Sequence, residues 1–193
     1  MNRALIASPA SEPVTLAEAK AWLRVDSSDE DQAIASLIVA ARETVESATR
    51  RALIAQSWRL TLDDWPFTLL QRPDMALPLA PLASVAAVRV TDAGGQPQLA
   101  PSSLWRLIGP PDRARLAFAA QPPRAGVVAG GIEIDCVVGY GAAADVPAPL
   151  RQAILMLVAD GFENRGDGED ARTAPLPKRV AALLAPYRRG RLA

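Results

Sequence analysis

The chain of 193 residues contains no histidine and a single cysteine, Cys136. The missing histidine removes the side chain most used for acid–base chemistry near neutral pH, and the commonest metal ligand. One cysteine cannot form an internal disulfide, so no oxidising compartment is implied. Aromatic residues are scarce, at 5%. Lys plus Arg number 21 and Asp plus Glu number 21, so there is no global field to attract DNA or anionic lipid. No apolar run reaches the roughly 18 residues of a membrane-spanning helix. The apolar start at Leu5 and Ile6 is too brief for a signal-peptide core and runs into Pro9 and Glu12. These absences predict a soluble protein of the reducing cytoplasm.

What is present is apolar and aliphatic: half the residues are hydrophobic. Residues 1–13 read as an extended arm. Thr15-Leu16-Ala17-Glu18 has the form of a capping box and predicts a short helix ending near Asp26. Ser27-Ser28-Asp29-Glu30 repeats that form. It opens a helix running to about Arg51, with Ile34, Leu37, Ile38, Ala41, Val45 and Ala48 on one stripe. Arg42 and Glu46 are spaced i,i+4 on its wet side, and its last turn reads as basic.

The period then changes. Trp58, Leu60 and Leu62 alternate with Arg59 and Thr61, as in a strand. Four prolines within 66–84 predict a long, partly extended connection. Further strands are expected at 85–91, 104–108, 114–119 and 132–138, with a turn at Asp92-Ala93-Gly94-Gly95. In the last strand Ile132, Ile134, Cys136 and Val138 share one face, and Glu133 and Asp135 the other. Helices return after Pro147. Leu150, Ala153, Ile154 and Leu157 form one stripe over 149–164, and Leu155, Met156 and Val158 widen it. A last helix is expected over 177–185. The predicted class is α+β: a small bundle of about four helices with a mostly antiparallel β region inserted between the N- and C-terminal helices. We read it as one domain: arm 1–13, helices 14–51, β insertion 57–141, helices 147–187 and a basic tail 188–193.

Few residues offer chemistry. Cys136 falls on the inner face of a strand with no base to activate it, so a small core residue is the better reading. Asp63 and Asp64 are adjacent, point apart on a strand and suit a turn. Asp167-Gly168-Glu169-Asp170 lacks the ligand spacing of a calcium loop. Gly139-Tyr140-Gly141 and Gly94-Gly95 lack the lysine and hydroxyl of a phosphate loop. No catalytic residue, cofactor site or metal site is expected. Two features ask for a partner instead. The broad apolar helix gives Leu155, Met156 and Val158 more apolar surface than one stripe buries, to be covered either by a partner or by the inserted sheet on its second side. The tail, with Arg188, Arg189 and Arg191, is suited to phosphate or to an acidic protein surface, or is a solubilising end.

The ordered motifs carry a resemblance. Pro13-Val14-Thr15-Leu16-Ala17-Glu18-Ala19-Lys20, then Trp22-Leu23-Arg24-Val25, resembles the opening of tailed-phage head–tail connector (adaptor) proteins. So do Asp29-Glu30-Asp31, Ala40-Ala41-Arg42, Trp58-Arg59-Leu60-Thr61-Leu62 and Trp65-Pro66. Val138-Gly139-Tyr140-Gly141, Val146-Pro147-Ala148-Pro149-Leu150 and Phe162-Glu163-Asn164-Arg165 complete the set. The resemblance implies a non-catalytic protein that forms a ring, usually twelvefold, beneath the portal of a capsid. Such a ring extends the DNA channel and docks the stopper or tail. A prophage or a gene transfer agent is the implied source. The implied partners are further copies of the chain, the portal and a stopper or tail-completion protein, with DNA passing unbound and no membrane involved. Within that frame the helix faces 29–51 and 149–164, with Arg42 and Glu46, are expected between subunits, and the Arg tail against the portal. Rival readings are a tail-completion or stopper protein of the same particle, and a small metal-dependent hydrolase.

Overall fold

The computed structural model of the chain describes residues 1–164 and 176–188. The Thr15 box forms. The Thr15 hydroxyl accepts from the Glu18 amide at 3.2 Å, and the Glu18 carboxylate accepts from the Thr15 amide at 2.8 Å. Helix α1, Leu16–Leu23, follows and stops at Arg24, whose φ of 58° is left-handed. The second box does not form. Ser27 Oγ accepts from the nearer Asp29 amide at 3.2 Å, closing a local turn. Helix α2 therefore starts later, at Asp31–Thr49, with no side-chain cap. Arg50, expected in a basic last turn, is the left-handed residue just past the end. Helix α3 is Ala148–Glu163 and α4 is Lys178–Leu184, followed by a 3-10 turn, Ala185–Tyr187.

The strands are β1 Asn2–Ala7, β2 Gln56–Leu62, β3 Asp74–Ala76, β4 Leu82–Thr91, β5 Pro97–Leu99, β6 Trp105–Ile108, β7 Arg115–Phe118 and β8 Ile132–Val138. They form a five-stranded sheet ordered β1-β2-β8-β4-β5 and a three-stranded sheet ordered β3-β7-β6. Every pairing is antiparallel. The α+β class predicted from the sequence thus holds. The expected arm supplies β1, which pairs with β2. The proline-rich 66–84 stretch holds a 3-10 turn, β3 and the start of β4. Strand β4 begins at Leu82, ahead of the expected 85, because its register shifts at Leu82/Ser84 and at Val85/Ala87. Each bulge inserts a residue and breaks the alternation that a sequence pattern needs.

By its contacts the chain divides into two compact units: Met1–Ala10 with Ala55–Tyr140, and Ser11–Ile54 with Gly141–Ala193. The first holds both sheets. Its core includes Leu60, Leu62, Val88, Leu116, Ile132 and Ile134, each at most 4% exposed. The second is the helical unit. Ile34, Ile38 and Val45 of α2, Leu150, Ile154 and Val158 of α3, and Val180 and Leu184 of α4 are all buried, and α2 packs against α3. Helices α2 and α3 approach closely at Gly161, where a Cβ would stand 2.9 Å from Leu37 Cδ2. The Arg51 guanidinium donates to the Tyr187 carbonyl at 2.6 Å, tying the chain beyond α2 to the 3-10 turn.

Candidate interaction surfaces

The apolar breadth of α3 is largely consumed inside the helical unit. Val158 is fully buried, so it offers nothing to a partner, contrary to expectation. Leu155 and Met156 are half-buried and keep an outward part. The sequence pattern overcounted because α2, α4 and α1 all pack against α3, a broader burial than a single stripe predicts.

Arg42 also departs from expectation. It is not on a wet face but 7% exposed. Its Nε donates to Glu12 at 2.8 Å, one terminal nitrogen donates to Glu46 at 2.8 Å, and the other lies 3.5 Å from Glu43. The other Glu46 oxygen accepts from the Leu53 amide at 2.8 Å. Burial pulls the Arg42 pKa down, but Glu46 and Glu12 outweigh it and hold the pKa above its ordinary value. The cluster is a clasp. It fastens residues 12 and 53, next to two of the points where the chain passes from one unit to the other, onto α2. The residue type and i,i+4 spacing were legible, but Glu12 lies thirty residues away in sequence and was not. A second tie joins the Arg151 guanidinium to Glu18 and, at 3.0 Å, to the Pro13 carbonyl.

The outer face of the five-stranded sheet carries a charge ladder that periodicity alone did not reveal. Pairing sets Arg59 of β2 opposite Asp135 of β8, and Arg89 of β4 opposite Glu133. Arg59 grips the Asp135 carboxylate with two bonds, 2.7 and 3.0 Å long, and Arg89 adds one of 2.6 Å. Hydrogen bonding from Arg59 holds Asp135 below its usual value against the opposing effect of burial, and Arg89 assists. Two guanidiniums and two carboxylates cancel, so these arginines are already spent on carboxylates and are poorly placed to hold a phosphate.

The residues with chemical potential have structural employment. Cys136 is 1% exposed, and burial, with a contribution from Asp135, pushes its thiol up to about 12. Such a thiol is not a nucleophile at neutral pH. Asp63 accepts from the distant Gly130 amide at 2.8 Å, and Asp64 from the adjacent Trp65 amide at 2.7 Å, so both are engaged with backbone. Asp92 accepts from the Gly94 and Gln96 amides at 2.9 and 3.0 Å, closing the β4–β5 turn. Among the described residues no group of three or more His, Cys, Asp or Glu stands placed to hold a metal. None of the described helices is long and apolar enough to cross a membrane. The acidic loop at Asp167, Glu169 and Asp170 lies outside the described residues, as do Arg189 and Arg191. Arg188 is described and exposed.

The sequence patterns also missed several exposed apolar side chains. Leu5 and Ile6 of β1 are 45% and 52% exposed, and Leu99 of β5 is 67% exposed. Trp22 of α1 is 46% exposed. Their signal is the edge position of the strand or helix, which follows only from tertiary pairing.

Residues 13–86 match the family model described as phage gp6-like head-tail connector protein. The whole chain is similar to a chain in the virion of a native gene transfer agent particle. The two share 30% identity over 100% of this chain and 98% of that one, with a TM-score of 0.82. The same figures apply to a chain in the neck of an empty gene transfer agent particle computed with C6 symmetry. A chain in the neck of the native particle, computed with C12 symmetry, shares 30% identity over 98% of each chain with a TM-score of 0.71. Among curated proteins no sequence matches. A likeness that runs the full length, in sequence and in fold, places this chain in the family of phage gp6-like head–tail connector proteins.

Proposed function

We propose that the chain is the adaptor at the head–tail junction of a phage-like particle. It forms a ring beneath the portal, extends the DNA channel and docks the stopper or tail. The observation that carries this reading is the full-length likeness to chains of a gene transfer agent neck, one of them computed with C12 symmetry. The role is mechanical and not catalytic. Cys136 is sealed in the core, and the acids of the described turns cap amides.

Two physical features suit a DNA conduit. Equal numbers of acidic and basic residues give no net field to grip a sliding polyanion. The ladder on the sheet neutralises Arg59 and Arg89 locally. In this reading the outward parts of Leu155 and Met156 belong to a contact between subunits. Arg42 and Glu46 act from inside, holding the helical unit in the shape the contact needs. Arg188, Arg189 and Arg191 grip the portal.

Electron microscopy of the protein mixed with its portal tests the reading. A coaxial ring on the portal is expected. A portal left bare at saturating protein would refute it. Replacing Arg188, Arg189 and Arg191 by serine should release the protein from the portal while its circular dichroism stays unchanged. Undiminished binding would remove the tail from the interface.

A further inference from the structure

A rotational ring joins unlike patches: each copy must offer one surface that fits a different surface on its neighbour. The five-stranded sheet ends in two such surfaces. Strand β1 has a strand partner on one side only, and so does β5 at the far edge. An open edge presents unpaired N–H and C=O groups, which proteins normally blunt with proline or charge. Strand β1 has no proline and one charged residue, Arg3, and all six of its residues are exposed. Leu5 and Ile6 protrude there, where the register with β2 shifts. The far edge is the short β5, whose Pro97 withholds one N–H, so side-chain fit more than a long ladder makes it the counterpart. Beside the exposed Leu99 lies a shallow hollow of about 150 Å³, with Val90, Leu99, Pro101 and Pro123 among its lining residues.

We propose that β1 of one copy docks along the β5 edge of a second copy, seating Ile6, the residue left unpaired at the register shift, in the hollow beside Leu99. The proposal rests on the ring reading above and names the contact that closes the ring. One edge carries the knob and the other the hole. Within one chain they stand four strand spacings apart, roughly 19 Å, so a copy cannot satisfy itself. Pairing β1 with β1 across a twofold would leave Leu99 and the hollow uncovered. The unlike pairing covers both, and repetition around an axis leaves no edge of the five-stranded sheet open.

The test uses the full chain, alone at high concentration and mixed with its portal. A variant carrying Ile6→Cys and Leu99→Cys is treated with a bis-maleimide reaching about two strand spacings, roughly 10 Å. Cys136 is buried and does not compete in the folded protein. A ladder of covalent oligomers up to the closed ring is expected from the double variant, and monomer only from either single variant. Cross-linked dimers from Ile6→Cys alone would show β1 meeting itself and overturn the proposal. Rings seen by microscopy without a ladder would overturn the edge contact and leave the ring reading standing. Absence of both rings and ladder would overturn both. As a second readout, Ile6→Asp should lower ring yield at least tenfold with an unchanged melting temperature, because the side chain is exposed in the single copy. Wild-type ring yield from Ile6→Asp would count against the contact.

Discussion

The Arg42 clasp makes the sharpest stability prediction. Replacing Arg42 by alanine removes a guanidinium that is 7% exposed and takes the Arg42 contact from the Glu12 and Glu46 carboxylates. Breaking a fully buried ion pair by deleting one partner costs about 3–5 kcal/mol. Here the carboxylates are 28% and 17% exposed, so water can partly re-solvate them. Glu46 also keeps the Leu53 amide. The expected loss is therefore lower, about 2–3 kcal/mol. Urea unfolding followed by circular dichroism measures it. Glu12→Gln should cost less, about 1 kcal/mol, because it keeps a hydrogen-bond acceptor for the Arg42 Nε. The double variant should lose less than the sum, since both changes break the same contact. A loss from Arg42→Ala within about 0.5 kcal/mol of zero, as surface changes give, would refute the claim that the clasp holds the helical unit together.

Three further outcomes follow from local geometry. Thr15→Ala removes the acceptor for the Glu18 amide and should destabilise by about 1 kcal/mol in the same assay. A Cβ at Gly126 would stand 2.1 Å from the Ala93 amide nitrogen, so Gly126→Ala must push the loop off the β4–β5 turn. A loss of at least about 1–3 kcal/mol is expected, as for overpacking, and faster amide exchange at Gly95 would report it. Asp135 has its folded pKa lowered from 3.8. Its contribution is therefore present above that unfolded value and lost as pH falls through the still lower folded value. Asp135→Asn should lower stability at pH 7 and flatten the decline below about pH 4; an unaltered acid limb in thermal melts between pH 2 and 7 would contradict the ladder.

Where the outcome depended on neighbours in sequence, the residues alone were decisive. Thr15 and Glu18 are three apart, so a capping box was legible, and it forms. The period of two in β8 was legible because that strand is regular and central, flanked on both sides by strands in unbroken or locally shifted register. The motif order over residues 13–187 was enough to suggest the connector family.

Tertiary structure decided what depended on distant partners. Ser27 has the same spacing to Glu30 as Thr15 has to Glu18, yet it bonds the Asp29 amide and α2 starts at Asp31. Local hydrogen bonds of nearly equal energy compete there, and spacing does not choose between them. Val158 looked surplus on one helix stripe, but three helices pack against α3 and Val158 is buried. Arg42 looked solvated until Glu12 came to it from across the unit. Residues 2–7 looked like an arm until β2 gave them a partner. A charged or apolar side chain is assigned to core, surface or edge by what packs against it, and that is a property of pairs far apart in the chain, which no local period can encode.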